Sequence, residues 1–195
     1  METPRRARVS RRTVETEVEL ELNLDGTGQY RVVTGVGFFD HMLGLWAFHA
    51  SFDLELRARG DLEVDAHHTV EDVGICLGRA LHDALGDRAG ICRYGHAVLP
   101  MDEALVLVAA DLGGRPYLAF NVEFPVARVG DFDTELAAEF FRALTGNGGL
   151  TLHLHLLSGR NAHHICEALF KACGRALRQA VRREGSGIPS TKGVL

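Results

Sequence analysis

The heptapeptide AHHTVED at residues 66–72 returns as AHHICEA at residues 162–168. Both copies continue to the tetrapeptide Gly-Arg-Ala-Leu, at residues 78–81 and 174–177. His163 follows His67 by 96 residues, and the other shared positions keep the same displacement. Self-similarity at a fixed period indicates that one structural plan is used more than once. We therefore predict a chain made of two pseudo-equivalent halves.

The hydrophobic pattern has the same order in both halves, which we place at residues 1–88 and 89–195 of one compact unit. Residues 14–24 and 29–33 alternate as two strands of a hairpin. The rest of the first half predicts a helix, a strand and a helix, at residues 38–48, 52–56 and 67–85. The second half predicts two strands, a helix, a strand and a helix, at residues 104–111, 116–123, 134–144, 150–157 and 162–183. This order indicates an α+β fold whose sheets are covered by helices on one face.

The composition is that of a globular protein, with 46% hydrophobic and 24% charged residues in 195. Phosphate backbones are bound by clustered Lys and Arg, so a net charge of −5 argues against a nucleic-acid partner. The basic run at residues 5–12 precedes no apolar stretch. We interpret it as a solvated tail, and we expect neither a signal peptide nor a membrane partner. Four cysteines without a Cys-x-x-Cys pair favour a cytoplasmic protein.

The repeated His-His-x-x-Glu motif has the spacing of a metal site on a helix; its residues are His67, His68, Glu71, His163, His164 and Glu167. Residues four apart share a helix face, so the first His and the Glu can bind one ion. The second His is turned by about 100°, which predicts two metal positions. Imidazole with carboxylate suits manganese, iron, nickel or zinc. The alternative, histidines that only cap or pack, is less favoured because a duplicated polar set is costly to bury unpaired.

Two further ligand candidates lie on the helix that precedes each motif. His41 and Glu139 occupy analogous positions in the two halves. A lone polar residue on an apolar helix could instead be a packed core residue. The register with the duplicated motif favours His41 as a ligand, whereas spacing alone leaves Glu139 open between the two interpretations.

Six short strings make the chain resemble the imidazoleglycerol-phosphate dehydratase family. They are GFFDHML at 37–43, HHTVED at 67–72, PMDE at 100–103, GRPY at 114–117, HHICEA at 163–168 and PSTKG at 189–193. The resemblance implies a hydro-lyase that converts D-erythro-imidazole glycerol phosphate to imidazole acetol phosphate in L-histidine biosynthesis. It implies two manganese ions, Mn²⁺, per active site. It also implies a homo-oligomer of 24 subunits, built from trimers that share active sites.

The resemblance also implies roles for single residues. The implied metal ligands are His41, His67, His68, Glu71, His163, His164 and Glu167, with Glu139 where many family members carry His. The implied substrate-binding residues are Glu15, His41, His67, Arg93, Arg115, His163, Lys171, Ser190, Thr191 and Lys192. Glu15 is the hypothetical proton-transfer group, with Glu71 and Glu167 as carboxylates that could share this work. Spacing alone would make Glu15 a solvent-facing strand residue.

The implied reaction needs an electron sink, because the carbon that loses a proton has no adjacent carbonyl. A cation on a ring nitrogen favours the imidazolate, which can expel the hydroxyl and form a diazafulvene-like intermediate. A dinuclear metallohydrolase is the alternative enzyme, since paired metals also activate water, but no Asp-rich nucleophile motif accompanies the histidines. A metal-storage protein is the non-enzyme alternative, but di-iron bundles need four long helices.

Overall fold

The computed structural model describes residues 5–195 as two four-stranded sheets, a two-stranded sheet and four helices. The first half contains β1 Arg6–Arg12, β2 Thr16–Asn23, β3 Tyr30–Val33, α1 Gly37–Ala50, β4 Asp53–Gly60 and α2 His67–Leu85. The second half contains β5 Tyr94–Met101, β6 Ala104–Asp111, β7 Tyr117–Asn121, β8 Arg128–Val129, β9 Phe132–Asp133, α3 Leu136–Gly148, β10 Thr151–Ser158 and α4 Ala162–Ala180. Within residues 5–195, no helix combines the length and the apolar run that spanning a bilayer requires.

The two large sheets have the same topology, with strand orders β1-β2-β4-β3 and β5-β6-β10-β7. In each sheet, the first two strands form an antiparallel hairpin. The edge strand, β3 or β7, runs parallel to its neighbour, β4 or β10. Alternate residues of β2 and β6 are buried, because one sheet face packs against α2 or α4. The predicted α+β fold with two pseudo-equivalent halves is confirmed. The boundary at residues 88 and 89 stays a prediction.

The structure contradicts the predicted hairpin between residues 14–24 and 29–33. β2 pairs with β1 and β4, whereas β3 lies at the sheet edge, parallel to β4. The turn between β2 and β3 is held by Asp53, which accepts hydrogen bonds from the backbone N–H groups of Thr27 at 2.8 Å and Gln29 at 3.1 Å. Alternation predicts a strand but not its partner, which explains the error.

The interpretation of residues 5–12 as a solvated tail is also wrong, because β1 occupies most of this run. Its exposed arginines hide the alternation of a half-buried strand. Arg11 points inward, and its Nε donates a hydrogen bond to Asp72 Oδ1 of α2 at 2.8 Å. Thr16 donates to the other oxygen of this buried carboxylate. β5 is missing from the prediction as well, because a glycine and a proline interrupt its pattern. The two short strands β8 and β9 are also absent from the prediction, so the first half has one strand more than predicted and the second half has three more.

The four helices lie between the two large sheets and pair across the halves. α1 packs against α4, and α2 packs against α3. Phe39 of α1 meets Phe140 of α3 at 5.4 Å between ring centroids, and Phe140 meets Phe170 of α4 at 5.2 Å. All three rings are fully buried. The two halves therefore contribute to one hydrophobic core.

The glycine of the repeated Gly-Arg-Ala-Leu tetrapeptide lies where the paired helices cross. A Cβ atom at Gly174 of α4 would lie 2.5 Å from the carbonyl oxygen of Trp46 in α1. A Cβ atom at the equivalent Gly78 of α2 would lie 2.6 Å from the carbonyl oxygen of Leu144 in α3. These neighbours are backbone atoms, which cannot rotate away. The repeated glycine therefore permits a helix approach that no other residue allows.

We predict that Gly174→Ala destabilises the protein by about 1–3 kcal/mol, because the added methyl group forces the helices apart. The melting temperature should fall by several degrees, measured by circular dichroism at one protein concentration. Gly146→Ala is the matched control, since Gly146 lies in α3 with open space around it. The control should be neutral or stabilising, because Ala has the higher helix propensity. Equal effects of the two substitutions would contradict the crossing argument.

Candidate metal and substrate sites

Three side chains from two helices form a potential metal-binding group. His163 and Glu167 lie one turn apart on α4, with His163 Nε2 3.1 Å from Glu167 Oε2. His41 of α1 brings its Nε2 to 3.6 Å from the same oxygen. One donor atom from each of the three lies within 4.8 Å of the other two. Two imidazoles and a carboxylate at this separation form a donor set suited to a borderline divalent cation.

The carboxylate of this group is buried but ionised. Glu167 is 7% exposed, and Lys171, one turn further along α4, donates a hydrogen bond to its Oε1. Burial opposes ionisation of Glu167, but the hydrogen bonds from Lys171 and His163 outweigh it and hold its pKa below the usual range. The negative charge that a metal ligand needs is therefore present at neutral pH.

An Asx side chain binds the backbone of the first histidine in each motif helix, from the N-cap of α4 and from the residue before the N-cap of α2. Asn161 Oδ1 accepts hydrogen bonds from the backbone N–H groups of His163 at 2.9 Å and His164 at 3.4 Å. Asp65 Oδ1 accepts one from the backbone N–H of His67 at 2.7 Å. These contacts satisfy backbone donors that a helix start leaves unpaired. Asp65 and Asn161 are separated by the repeat length, so the repeat could have revealed both.

The second histidine of the second motif contacts a different carboxylate from the first. His163 Nε2 lies 3.1 Å from Glu167 Oε2, whereas His164 Nδ1 lies 2.7 Å from Glu103 Oε2. This agrees with the different directions expected for adjacent residues of a helix. In both motifs the two rings are nearly perpendicular, with 87° between His67 and His68 and 81° between His163 and His164.

A carboxylate contacts each of these second histidines. His68 Nδ1 lies 3.0 Å from Asp61 Oδ2, and His164 Nδ1 lies 2.7 Å from Glu103 Oε2. Hydrogen bonding to the carboxylates raises the pKa of both imidazoles, and the bond from His164 lowers the pKa of Glu103 to about 2. Neither carboxylate is among the predicted site residues. Glu103 belongs to one of the six strings that carry the resemblance, whereas no repeat marks Asp61.

His41 joins the motif of the opposite half, which the sequence does not reveal. Its helix α1 crosses α4, so His41 lies beside His163 with 6.2 Å between ring centroids. The other pair of helices is arranged in the same way, since Glu139 lies on α3 of the second half, which packs against the motif helix α2 of the first half. Glu139 forms an ion pair with Arg142, and Glu71 is exposed. Neither Glu139 nor Glu71 belongs to a group of three close donors within residues 5–195, so their ligand role stays a prediction.

Glu15 lies at the tip of the β1–β2 hairpin, beside the first motif. Its side chain is half exposed, and its Oε2 is 3.8 Å from His68 Nδ1, beyond hydrogen-bond distance. The hairpin tip and the loop after β4 line a cleft of 320 Å³. Glu15 is therefore close to a candidate metal ligand without being bound to it.

A second cleft, of 750 Å³, is lined by five of the predicted substrate-binding residues, Arg93, Arg115, Ser190, Thr191 and Lys192. Within the described chain, no acidic side chain lines this cleft. Arg93 Nε donates to Asp111 Oδ1 at 2.7 Å, and a terminal nitrogen of Arg93 donates to the carbonyl oxygen of Pro189 at 3.0 Å. Arg93 therefore holds the C-terminal segment in place, while Arg115 and Lys192 offer positive charge to an anion.

Comparison with known proteins identifies one family for this arrangement. The family model for imidazoleglycerol-phosphate dehydratase matches residues 34–177. The chain belongs to the imidazoleglycerol-phosphate dehydratase family. The dehydratase of Desulforamulus reducens is 60% identical over 193 residues, which cover 98% of each chain. The dehydratase of Roseobacter denitrificans is 60% identical over 96% of this chain and 97% of its own.

Solved dehydratase structures have the same fold. The crystal structure of imidazoleglycerol-phosphate dehydratase from Staphylococcus aureus has a TM-score of 0.84 and 41% identity, covering 92% of this chain and 99% of that one. The enzyme from Pyrococcus furiosus has a TM-score of 0.84 and 40% identity, covering 96% and 100%. Membership of the dehydratase family makes the chain a hydro-lyase and implies the dehydration step of histidine biosynthesis. Membership of this family argues against the metallohydrolase and metal-storage alternatives.

We predict that Glu167→Gln weakens manganese binding at least about 10-fold, because the substitution removes the negative charge shared by His41 and His163. Free Mn²⁺ is measured by electron paramagnetic resonance during a titration of the metal-stripped protein. Glu123→Gln is the control, since Glu123 is exposed on the segment after β7. An unchanged affinity in Glu167→Gln, with a normal melting temperature, would remove Glu167 from the ligand set.

Proposed function

We propose that the chain converts D-erythro-imidazole glycerol phosphate to imidazole acetol phosphate with the help of two manganese ions per active site. The observation that carries this proposal is the group formed by His41, His163 and Glu167, whose donor atoms lie within 4.8 Å of one another. Family membership supports the reaction, and the chemistry of the donor set supports the metal. Two nitrogens and one carboxylate oxygen leave coordination positions for a substrate.

The residues present fit a dinuclear site of borderline cations. The proposed ligands are His41, His67, His68, Glu71, Glu139, His163, His164 and Glu167. They contain no thiolate, and a closed structural zinc site would usually include one. Manganese, when bound, would supply the Lewis acidity that stabilises the imidazolate form of the substrate ring and the diazafulvene-like intermediate.

Glu15 is the proposed proton-transfer group. The reaction moves a proton from the carbon next to the one that carries the leaving hydroxyl, and a positioned carboxylate can accept it. Glu15 suits this role because its carboxylate is half exposed and stands 3.8 Å from the nearest imidazole. Glu167 is already engaged by Lys171 and His163, so any share of Glu167 in proton transfer is secondary. Glu71 is exposed and could take part.

The 750 Å³ cleft is the proposed phosphate site. Arg115 and Lys192 would bind the phosphate by charge, and Ser190 and Thr191 would add hydroxyl donors. Arg93 would act mainly by holding the C-terminal segment through its bond to Pro189. Fixing the phosphate far from the ring orients the substrate, which lowers the entropic cost of the reaction.

The proposed assembly is a homo-oligomer of 24 subunits built from trimers that share active sites. The ligand candidates of one chain are divided between places, with His41, His163 and Glu167 at the α1–α4 crossing and His68 near the β1–β2 hairpin. Histidines that point in two directions need further segments to complete each ligand sphere. We propose a cytoplasmic location, where the four free cysteines stay reduced.

Metal removal tests the reaction and the cofactor together. We predict that protein stripped by a chelator does not turn over imidazole glycerol phosphate, and that Mn²⁺ restores turnover with saturation near two ions per chain. Mg²⁺ is the comparison ion, because its preference for oxygen ligands makes it a poor partner for imidazole. Full turnover by the stripped protein would reject the metal-dependent reaction, and bound manganese without turnover would reject the substrate.

Glu15→Gln tests proton transfer separately from metal binding. We predict that kcat falls about 100- to 10,000-fold, because the amide cannot accept the proton. The number of manganese ions bound should not change. Glu19→Gln, on the exposed face of β2 and outside the cleft at the hairpin tip, is the matched control and should keep normal kcat. A kcat close to normal in Glu15→Gln would exclude this carboxylate from the chemical step.

A further inference from the structure

The second histidines of the two motifs, His68 and His164, use the same ring atom to contact a carboxylate. Asp61 lies 3.0 Å from Nδ1 of His68, and Glu103 lies 2.7 Å from Nδ1 of His164. An ionised carboxylate only accepts hydrogen bonds, so in the neutral imidazole Nδ1 carries the proton and Nε2 carries the lone pair. A carboxylate oxygen of Asp102 lies 3.7 Å from His164 Nε2, beyond hydrogen-bond distance. Both imidazoles therefore keep Nε2 as the atom that can bind a metal.

The two carboxylates come from different loops, although the halves share one plan. Glu103 lies at the tip of the β5–β6 hairpin, and the corresponding tip of the β1–β2 hairpin holds Glu15. Asp61 comes instead from the loop that follows β4. Asp61 is the first residue after β4, and the residue in the same place after β10 is Gly159, which has no carboxylate. The two halves thus orient equivalent histidines by different means.

Glu103 and Glu15, at the tips of the two hairpins, also differ in the hydrogen bonds that their carboxylates accept. Glu103 Oε1 accepts hydrogen bonds from the backbone N–H groups of Arg160 at 3.1 Å and Asn161 at 2.7 Å, at the start of α4. Both oxygens of Glu103 are therefore occupied within the chain. The closest ion-pair distance of Glu15 is 3.8 Å, to the histidine that Asp61 already holds. Glu103 is thus held on both oxygens, whereas within residues 5–195 the Glu15 carboxylate makes no hydrogen bond.

We propose that Asp61 and Glu103 are positioning residues that present Nε2 of His68 and His164 to the metals, and that Asp61 leaves Glu15 available for the substrate. This inference rests on the proposed metal-dependent dehydration. A carboxylate on the outer nitrogen of a metal-binding histidine fixes its tautomer and ring orientation and strengthens it as a ligand. In the second half, Glu103 at the hairpin tip positions His164. In the first half, Asp61 positions His68, so that Glu15 at the hairpin tip can act in catalysis.

The isosteric variants Asp61→Asn and Glu103→Gln test the positioning role in the full-length protein. An amide has a similar shape but offers the imidazole a weaker acceptor, and a donor that favours the other tautomer. We expect Mn²⁺ affinity, measured by electron paramagnetic resonance, to fall about 10- to 100-fold in each variant. The melting temperature of the metal-free protein should stay close to that of the unaltered chain, whereas a merely structural role would lower it. Glu123→Gln, on the exposed segment after β7, is the control and should bind manganese normally.

Turnover at saturating manganese separates the two carboxylates. Glu103→Gln should regain normal kcat once the metal sites are filled, because its effect is on affinity alone. Asp61→Asn should keep a kcat lowered at least about 10-fold, because His68 then draws the nearby Glu15 away from the substrate. Recovery of kcat in Asp61→Asn would reject the freeing of Glu15. Unchanged manganese affinity in both variants would reject positioning altogether.

Manganese affinity is measured without substrate, so failure of the positioning role can be distinguished from failure of the proposed dehydration. Normal affinity in both variants of an active enzyme would overturn the positioning role alone. An unaltered protein that binds manganese but does not dehydrate the substrate would overturn the proposed function. The affinity measurements would then still decide whether Asp61 and Glu103 position the two histidines.

Discussion

The close crossing of helices at the repeated glycines is the constraint on which both the core and the candidate metal-binding group depend. At Gly174 the backbone of α4 lies so near to α1 that one added methyl group would overlap the Trp46 carbonyl oxygen. This proximity lets His41 reach Glu167 with 3.6 Å between donor atoms on different helices. The glycine of the tetrapeptide that follows each motif therefore has a structural role, because it permits the close approach of the helices.

The chain contains two copies of one candidate metal-binding helix, and the surroundings of the two copies differ. The helix-start Asx residues, the perpendicular imidazoles and the crossing glycine occur in both halves. Lys171, which keeps Glu167 ionised, aligns with Ile75 in the first half, so Glu71 has no such lysine. The hairpin acids differ as well, since Glu103 is held on both oxygens and Glu15 stands apart.

The repeat and the periodicity predict the fold class and most elements from sequence, but not how they pair. α2 begins and ends where its amphipathic pattern and Gly86 place it. β1 escapes prediction because its exposed face is arginine, and β3 is assigned to the wrong neighbour because alternation does not specify pairing. His41 lies beside the second motif because α1 packs against α4 of the other half, and residue spacing does not predict which helices pack together. Asp61 lies outside the repeat, so only the fold brings it to His68.

Each helix pair in the core joins one helix from each half of the chain. His41 belongs to the first half but meets the motif of the second, so the ligand group is shared across the repeat. A half-length chain with one motif would lack the neighbouring helix that completes its ligand group. Two identical half-length chains related by a twofold axis would supply that helix to each other. The internal symmetry of the present chain therefore corresponds to that of a twofold dimer of half-length chains.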